Sequence, residues 1–280
     1  MTIRGKTLRN NTILYSILVI FVVFFLFPVI YMLGLSFMEN KESMAGIRLF
    51  PSKFYFGAYK IMVQGEFISY FFNTLKVIGF NIIAVPLSAL LCAYGFGRLK
   101  FKGRDTVFMI MLSTMMLPAM IVMVPLYVLF ARFGWLNTLY PLTLPNIFGG
   151  GAINIFLIRQ FMRGVPKELD SAAKIDGANS FTVLWKIIFP STRPIILFIM
   201  ISVFIGNWND FTGPLIYLSD EKVYTLGLGI YHKLFGNTSI IVYPNTQMAA
   251  GVSMLIPPII LFFIFQKQLI DGIHISGLKG

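Results

Sequence analysis

Two uninterrupted apolar runs, residues 13–37 and 106–130, constrain this 280-residue chain more than any other feature, because neither contains a single charged residue. A helix needs about 20 apolar residues to cross the hydrocarbon core of a bilayer, and lipid satisfies the backbone of little else except a closed barrel. Each run therefore predicts a membrane-spanning helix. The same criterion adds segments 69–97, 139–158, 194–217 and 246–265, giving six spans and an all-α membrane protein. Composition agrees: 57% of the residues are hydrophobic and 12% are charged, against roughly a quarter charged in soluble domains. The first run is too long for a signal-peptide core and is followed by no small-residue cleavage site, so it is expected to be a retained helix.

The charges that remain are strongly basic, 23 Lys and Arg against 11 acids. In a soluble chain this balance would suggest nucleic acid, but here the connections between spans account for it and no nucleic-acid partner is expected. With six spans both termini lie on one side. That side carries Arg4, Lys6 and Arg9, the cluster Arg98, Lys100, Lys102 and Arg104, the group Arg159, Arg163, Lys167, Lys174, Lys186 and Arg193, and finally Lys267 and Lys279. The opposite side holds seven bases, including Lys41, Arg132 and Lys222. Basic segments are retained in the cytoplasm, so both termini are predicted to be cytoplasmic. Lys76 is the one base inside a span, and its stem is long enough to carry the ammonium to the interface.

Several spans are interrupted by Pro86, Pro118, Pro125, Pro141 and Pro145, by Gly149, Gly150 and Gly151, and by Pro257 and Pro258. Proline removes a donor and kinks a helix, and in membranes such breaks persist where other helices or a water-lined cavity satisfy the freed carbonyls. Singly they shape packing. Together they favour a pathway protein over a passive anchor.

The most informative stretch, residues 163–194, is too polar to span. Pro166 suits the first turn of a helix, and Glu168 and Asp170 lie where the positive end of the helix dipole favours acids. Leu169, Ala172, Ala173 and Asp176 recur at helical spacing. Gly177 is suited to end the helix, and Asn179 or Ser180 to cap a second one running to Pro190. A short alanine-faced helix of this type fits either a groove of another protein or the plane of the lipid headgroups.

The run Ser171, Ala172, Ala173, Lys174, Ile175, Asp176, Gly177, with Ile187 and Pro190 beyond it, resembles the EAA loop of permeases of binding-protein-dependent ABC importers. Ser171 departs from the family's glutamate, and Phe189 from its leucine. Further stretches resemble the carbohydrate branch: Ala93–Arg104, Pro125–Asn137 with Thr138, Ile155–Phe161, and Trp208, Asn209, Asp210 and Phe211 with Pro214 and Leu215. Met248, Ala249, Ala250, Phe265 and Gln266, with the terminal Gly277, Leu278, Lys279 and Gly280, resemble the maltose-type second permease subunit.

The resemblance implies the type I ABC importer permease fold. It divides the chain into residues 1–68 (tail, first helix and outer loop), a transmembrane domain at 69–270 containing the coupling loop 163–194, and a cytoplasmic tail at 271–280. It further implies a coupling helix that docks on an ATPase through Glu168, Leu169, Asp170, Ser171, Ala172, Ala173, Asp176 and Gly177, and an ATPase contact made by Gly277, Leu278, Lys279 and Gly280. The implied partners are a second permease subunit, two ATPase subunits carrying ATP and Mg, an extracytoplasmic solute-binding protein and a sugar. The implied location is the inner membrane of a prokaryote.

Asp210 is the only acid inside a predicted span, and an ionisable group there is a functional candidate. Trp208 has a flat face suited to a sugar ring, with Asn209 and Asp210 beside it as hydrogen-bond partners. Bridging between helices is the competing role for these residues. The outer segment from Ser219 to Tyr243 is long for a connection; the resemblance implies a loop that reaches into a docked binding protein, and an ordinary extracellular loop is the competing reading.

Cys92, between Leu91 and Ala93, is expected to be a buried small hydrophobe, and neither His232 nor His274 has companions at metal-ligand spacing. No phosphate-binding loop and no catalytic motif occurs in the sequence, so the chain is expected to be a transport subunit without an ATPase site or cofactor of its own. A nucleotide-independent secondary transporter or channel, and an importer of a non-sugar solute, remain the competing classes.

Overall fold

The chain folds into helices and connecting turns, and the computed structural model describes residues 3–236 and 242–277, with side chains described for 12–236 and 242–267. Among the described residues there is no strand. The long elements are α1 (Ile3–Ser36), α2 (Glu66–Arg98), α3 (Arg104–Ser113), α4 (Ala119–Arg132), α5 (Ala152–Met162), α6 (Lys167–Ile175), α7 (Ser180–Trp208), α8 (Leu226–Leu234) and α9 (Pro244–Gly277). Among the described residues five segments are long and apolar enough to span a bilayer, at Thr12–Ser36, Glu66–Arg98, Tyr140–Met162, Ser180–Trp208 and Pro244–Lys267. A sixth is the broken pair Arg104–Met116 and Ala119–Arg132, bent by 100°.

Each break has a local cause. Leu117 and Pro118 are both extended, with ψ of 120° and 131°. The proline ring excludes the residue before it from helical geometry, and so α3 and α4 part here. In the fourth span Gly149, Gly150 and Gly151 take φ of 91°, 59° and 109°, a left-handed path that side chains resist. A Cβ on Gly150 would lie 2.6 Å from Val85 Cγ1, so this position also requires the bare backbone for its approach to α2. The freed backbone groups find side chains: the Gly149 N–H donates to Ser88 Oγ at 3.0 Å, and Asn154 Nδ2 donates to the Gly149 and Gly150 carbonyls, each at 3.1 Å.

The fifth span departs from the sequence expectation. Segment 194–217 was the expected span, with a separate helix stopping at Pro190, yet α7 runs on from Ser180 to Trp208. A π-helical turn at Leu184–Ile188 precedes Pro190 and loosens the ladder where the proline removes a donor. Ser191 Oγ donates to the Ile187 carbonyl at 2.7 Å and Thr192 Oγ1 to the Ile188 carbonyl at 2.8 Å. These bonds lie beside the π-helical turn, and α7 continues through Pro190 and Pro194 to Trp208.

Two units divide the chain. The first joins residues 1–68 with 230–258. The apolar side chains of α1 from Ile13 to Phe27 are exposed, as a lipid-facing helix requires. Asn245, fully buried, donates to the Met38 carbonyl at 2.8 Å and to Asn40 Oδ1 at 2.9 Å. Glu42 Oε1 accepts from both the backbone N–H and the hydroxyl of Ser52, at 2.9 and 2.7 Å, which closes the loop that follows α1.

The second unit joins residues 69–229 with 259–280. Its core packs α2, α5 and α7 through Ala89, Ala93, Ile158, Ile188 and Ile199, all fully buried. Alanines one turn apart on α2 allow close backbone approach, the usual means by which helices associate in lipid. Asn81 of α2 is fully buried and donates to the Leu142 carbonyl at 2.9 Å and to Asn207 Oδ1 of α7 at 2.7 Å. Asn137, with φ of 58°, accepts from the Ser219 and Asp220 N–H groups at 2.5 and 3.2 Å. Cys92 on α2, expected to be buried, is exposed instead.

Candidate functional site

The short helix α6 forms where the sequence predicts it. Pro166 precedes it in an extended conformation, Glu168 and Asp170 occupy its first turn, and Gly177 with φ of 83° terminates it. Asn179 Oδ1 then accepts from the Thr182 N–H at 2.8 Å and so caps α7.

The faces of α6 differ from a simple alanine stripe. Asp170 and Ala173 are half-buried, and Ala173 packs on the α2–α5–α7 core. Glu168, Leu169, Ser171, Ala172, Asp176 and Gly177 are exposed. Ile175 is exposed as well, at 88% of its surface, and Leu169 at 47%. An isoleucine and a leucine left open on an otherwise polar helix beyond the spans form a surface suited to a partner. Ser171 stands where an EAA loop carries glutamate, and its Oγ donates to the Lys167 carbonyl at 3.3 Å.

Arg98, the last residue of α2, fastens this helix to the spans. Its terminal nitrogen donates to the Met162 carbonyl at 3.1 Å and the Val165 carbonyl at 2.7 Å, while Nε forms an ion pair with Asp170 Oδ2 at 3.4 Å. The side chains are 5% and 13% exposed. The sequence marked Arg98 only as one base in a loop. Nothing in the residues that follow it, Leu99 to Arg104, pointed to a partner on the later helix α6. Arg159 makes a second anchor at this end: it donates to the Phe96 carbonyl at 3.2 Å, pairs with Asp105 at 3.5 Å and lies over the Phe108 ring at 3.9 Å.

The trio Trp208, Asn209 and Asp210 is not assembled into a sugar platform. Trp208 is 2% exposed, its indole stacked on Phe204 and edge-on to Phe71. The Asn209 amide donates back to the Ile205 carbonyl at 3.0 Å. Asp210 lies past the end of α7, not within a span, and its Oδ1 accepts from the Gly213 N–H at 3.0 Å. This opens the short helix Thr212–Tyr217, a capping role common for aspartate. Of the tail residues, Gly277 ends α9, and Leu278, Lys279 and Gly280 lie outside the described residues.

Comparison with known proteins gives a consistent result. The family described as binding-protein-dependent transport system inner membrane component matches residues 84–274. The galactooligosaccharides transport system permease protein GanQ of Bacillus subtilis is 28% identical over 95% of this chain and 94% of its own length. The arabinooligosaccharides transport system permease protein AraQ of Halalkalibacterium halodurans is 32% identical, covering 91% of each chain. Among solved structures, a chain of a bacterial ABC transporter involved in the import of the acidic polysaccharide alginate superposes with a TM-score of 0.83. That match covers 92% of this chain and 96% of the other at 24% identity, so the likeness is one of fold.

Proposed function

This chain belongs to the family of binding-protein-dependent transport system inner membrane components, and from that premise we propose that it forms one membrane half of an ABC importer for a sugar or oligosaccharide. The names of its relatives supply the solute class. The observation that carries the coupling role is the exposed face of α6, with Ala172 and Ile175 outward and Arg98 holding the helix from within.

In this proposal α6 enters a cleft of an ATPase subunit, with Glu168, Leu169, Ala172, Ile175 and Asp176 at the contact and Asp170, Ala173 and Gly177 setting the helix in place. The termini and α6 face the cytoplasm. A second permease subunit, two ATPase subunits and a solute-binding protein complete the assembly. ATP and Mg belong to the ATPase subunits, and this chain contributes no hydrolytic group. Nucleotide shifts the assembly between inward and outward states only to the extent that it binds one better than the other. The Arg98–Asp170 pair and the two carbonyl bonds carry movement of α6 into the end of α2.

The test is co-purification of the ATPase subunit together with solute uptake. Ala172→Arg places a bulky charge on the outward face, where the chain's own packing is untouched, and is expected to abolish both. ATPase recovery and uptake at wild-type levels with Ala172→Arg would defeat the proposal.

A further inference from the structure

Five cations surround one cavity in the second unit. Its volume is 270 Å3, and Arg98, Arg104, Arg159, Arg163 and Lys167 line it together with Phe96, Gly97 and Met162. It opens where α2 ends, α3 begins and α5 ends, beside the ends of three apolar segments long enough to span a bilayer. A neighbouring opening shares Arg104 and Lys167 and adds Lys100.

The acids nearby do not balance this charge. Asp105 is engaged by Arg104 through both carboxylate oxygens, each at 3.1 Å, and by Arg159 at 3.5 Å. Asp170 pairs with Arg98. Among the described residues Arg163 and Lys167 form no ion pair. Within the wall, Arg98 has a side chain only 5% exposed, and its Nε makes no hydrogen bond, since the 3.4 Å approach to Asp170 lacks the geometry of one. Arg159, 10% exposed, is similarly withdrawn from water.

Clustered like charges at low dielectric repel one another, and an anion entering the cavity relieves that repulsion. Guanidinium groups present paired donors that match the oxygens of phosphate. Basic pockets between spans at the interface are suited to the headgroups of acidic lipids. We propose that this cavity binds a phosphate-bearing anion, supplied either by the headgroup of an acidic phospholipid or by free phosphate, and that Arg163 and Lys167 complete the site around the buried Arg98 and Arg159. The site does not depend on which solute is carried.

The experiment uses the assembled transporter. Complex from vesicles of phosphatidylcholine and phosphatidylglycerol is analysed by native mass spectrometry for retained lipid, and inorganic phosphate is titrated calorimetrically in zwitterionic detergent. Arg163→Gln with Lys167→Gln is expected to weaken the anion by about thirty-fold, whereas Arg163→Lys with Lys167→Arg keeps most of the binding and Arg132→Gln, on α4, leaves it unchanged. Charge-dependent retention of phosphatidylglycerol identifies the lipid as source, and charge-dependent binding of phosphate alone identifies the free ion. Retention and titration that ignore the double Gln change would overturn the site. Release of the ATPase subunit by that change, with anion binding intact, would also overturn it, because the cations would then belong to the protein contact. A complex that loses uptake after Ala172→Arg while still binding the anion separates this inference from the coupling proposal.

Discussion

Arg98 at the end of α2 and Asp170 on α6 form an ion pair at 3.4 Å with both side chains largely buried. The two residues are far apart in sequence, and their meeting makes a short polar helix part of the same body as a spanning one. Removing one partner of a buried pair leaves the other uncompensated, a change worth about 3 kcal/mol or more. Arg98→Met also frees the Met162 and Val165 carbonyls. It is expected to lower the thermal stability of the purified chain and to reduce uptake more than ATP hydrolysis, while Asp170→Asn has the smaller effect because the carbonyl bonds persist. Equal losses of transport and hydrolysis in both variants would argue against a coupling role.

Gly177 and Gly150 are both left-handed, but for different reasons. A Cβ on Gly177 meets nothing within 4 Å, so Gly177→Ala is expected to cost only the backbone penalty, about 1 kcal/mol. Gly150→Ala adds a clash with Val85 at 2.6 Å and is expected to cost more. Thermal unfolding of the two variants in the same detergent orders them.

Asn81 lies fully buried between Leu142 and Asn207. Interhelical hydrogen bonds in membranes contribute about 0.6 kcal/mol on average, so Asn81→Leu is expected to be mildly destabilising. In the double variant with Asn207→Leu the second change adds less than it does alone. A double-mutant cycle checks this, and strict additivity would show that the bond contributes nothing.

Glu42 titrates outside the spans. The Ser52 hydroxyl and backbone N–H, with Arg48 adding to them, hold its carboxyl below the ordinary value of 4.5. A lowered carboxyl stabilises the folded loop at pH above that ordinary value, and the contribution disappears as pH falls through the folded-state value. Glu42→Gln is therefore expected to differ from wild type in thermal stability at neutral pH and to converge with it in acid. A difference that grows in acid would show the opposite linkage.

The six spans, the all-α class and the short helix at 167–175 were legible because they rest on local chemistry. Apolar length, the proline and acids at a helix start, and a glycine at its end act within a few residues of each other. The fifth span was misplaced for a reason of the same scale: Pro190 read as a stop and Pro194 as the start of the span, and the structure instead runs one helix through both, with a π-turn just before Pro190. Asp210 followed from that error, since shifting the helix end to Trp208 moves the carboxylate from a span to a cap.

By itself, then, the sequence determined how often the chain crosses the membrane, where its basic connections lie and which segment resembles a handle for a motor, because these depend on hydrophobicity and neighbouring residues. Tertiary structure alone decided that Ala173 faces inward while Ala172 and Ile175 face outward, that Arg98 grips Asp170, and that five cations share one cavity. Those relationships join side chains brought together by the packing of α2, α5 and α7, and no rule of spacing along one helix contains the distance between residues on another.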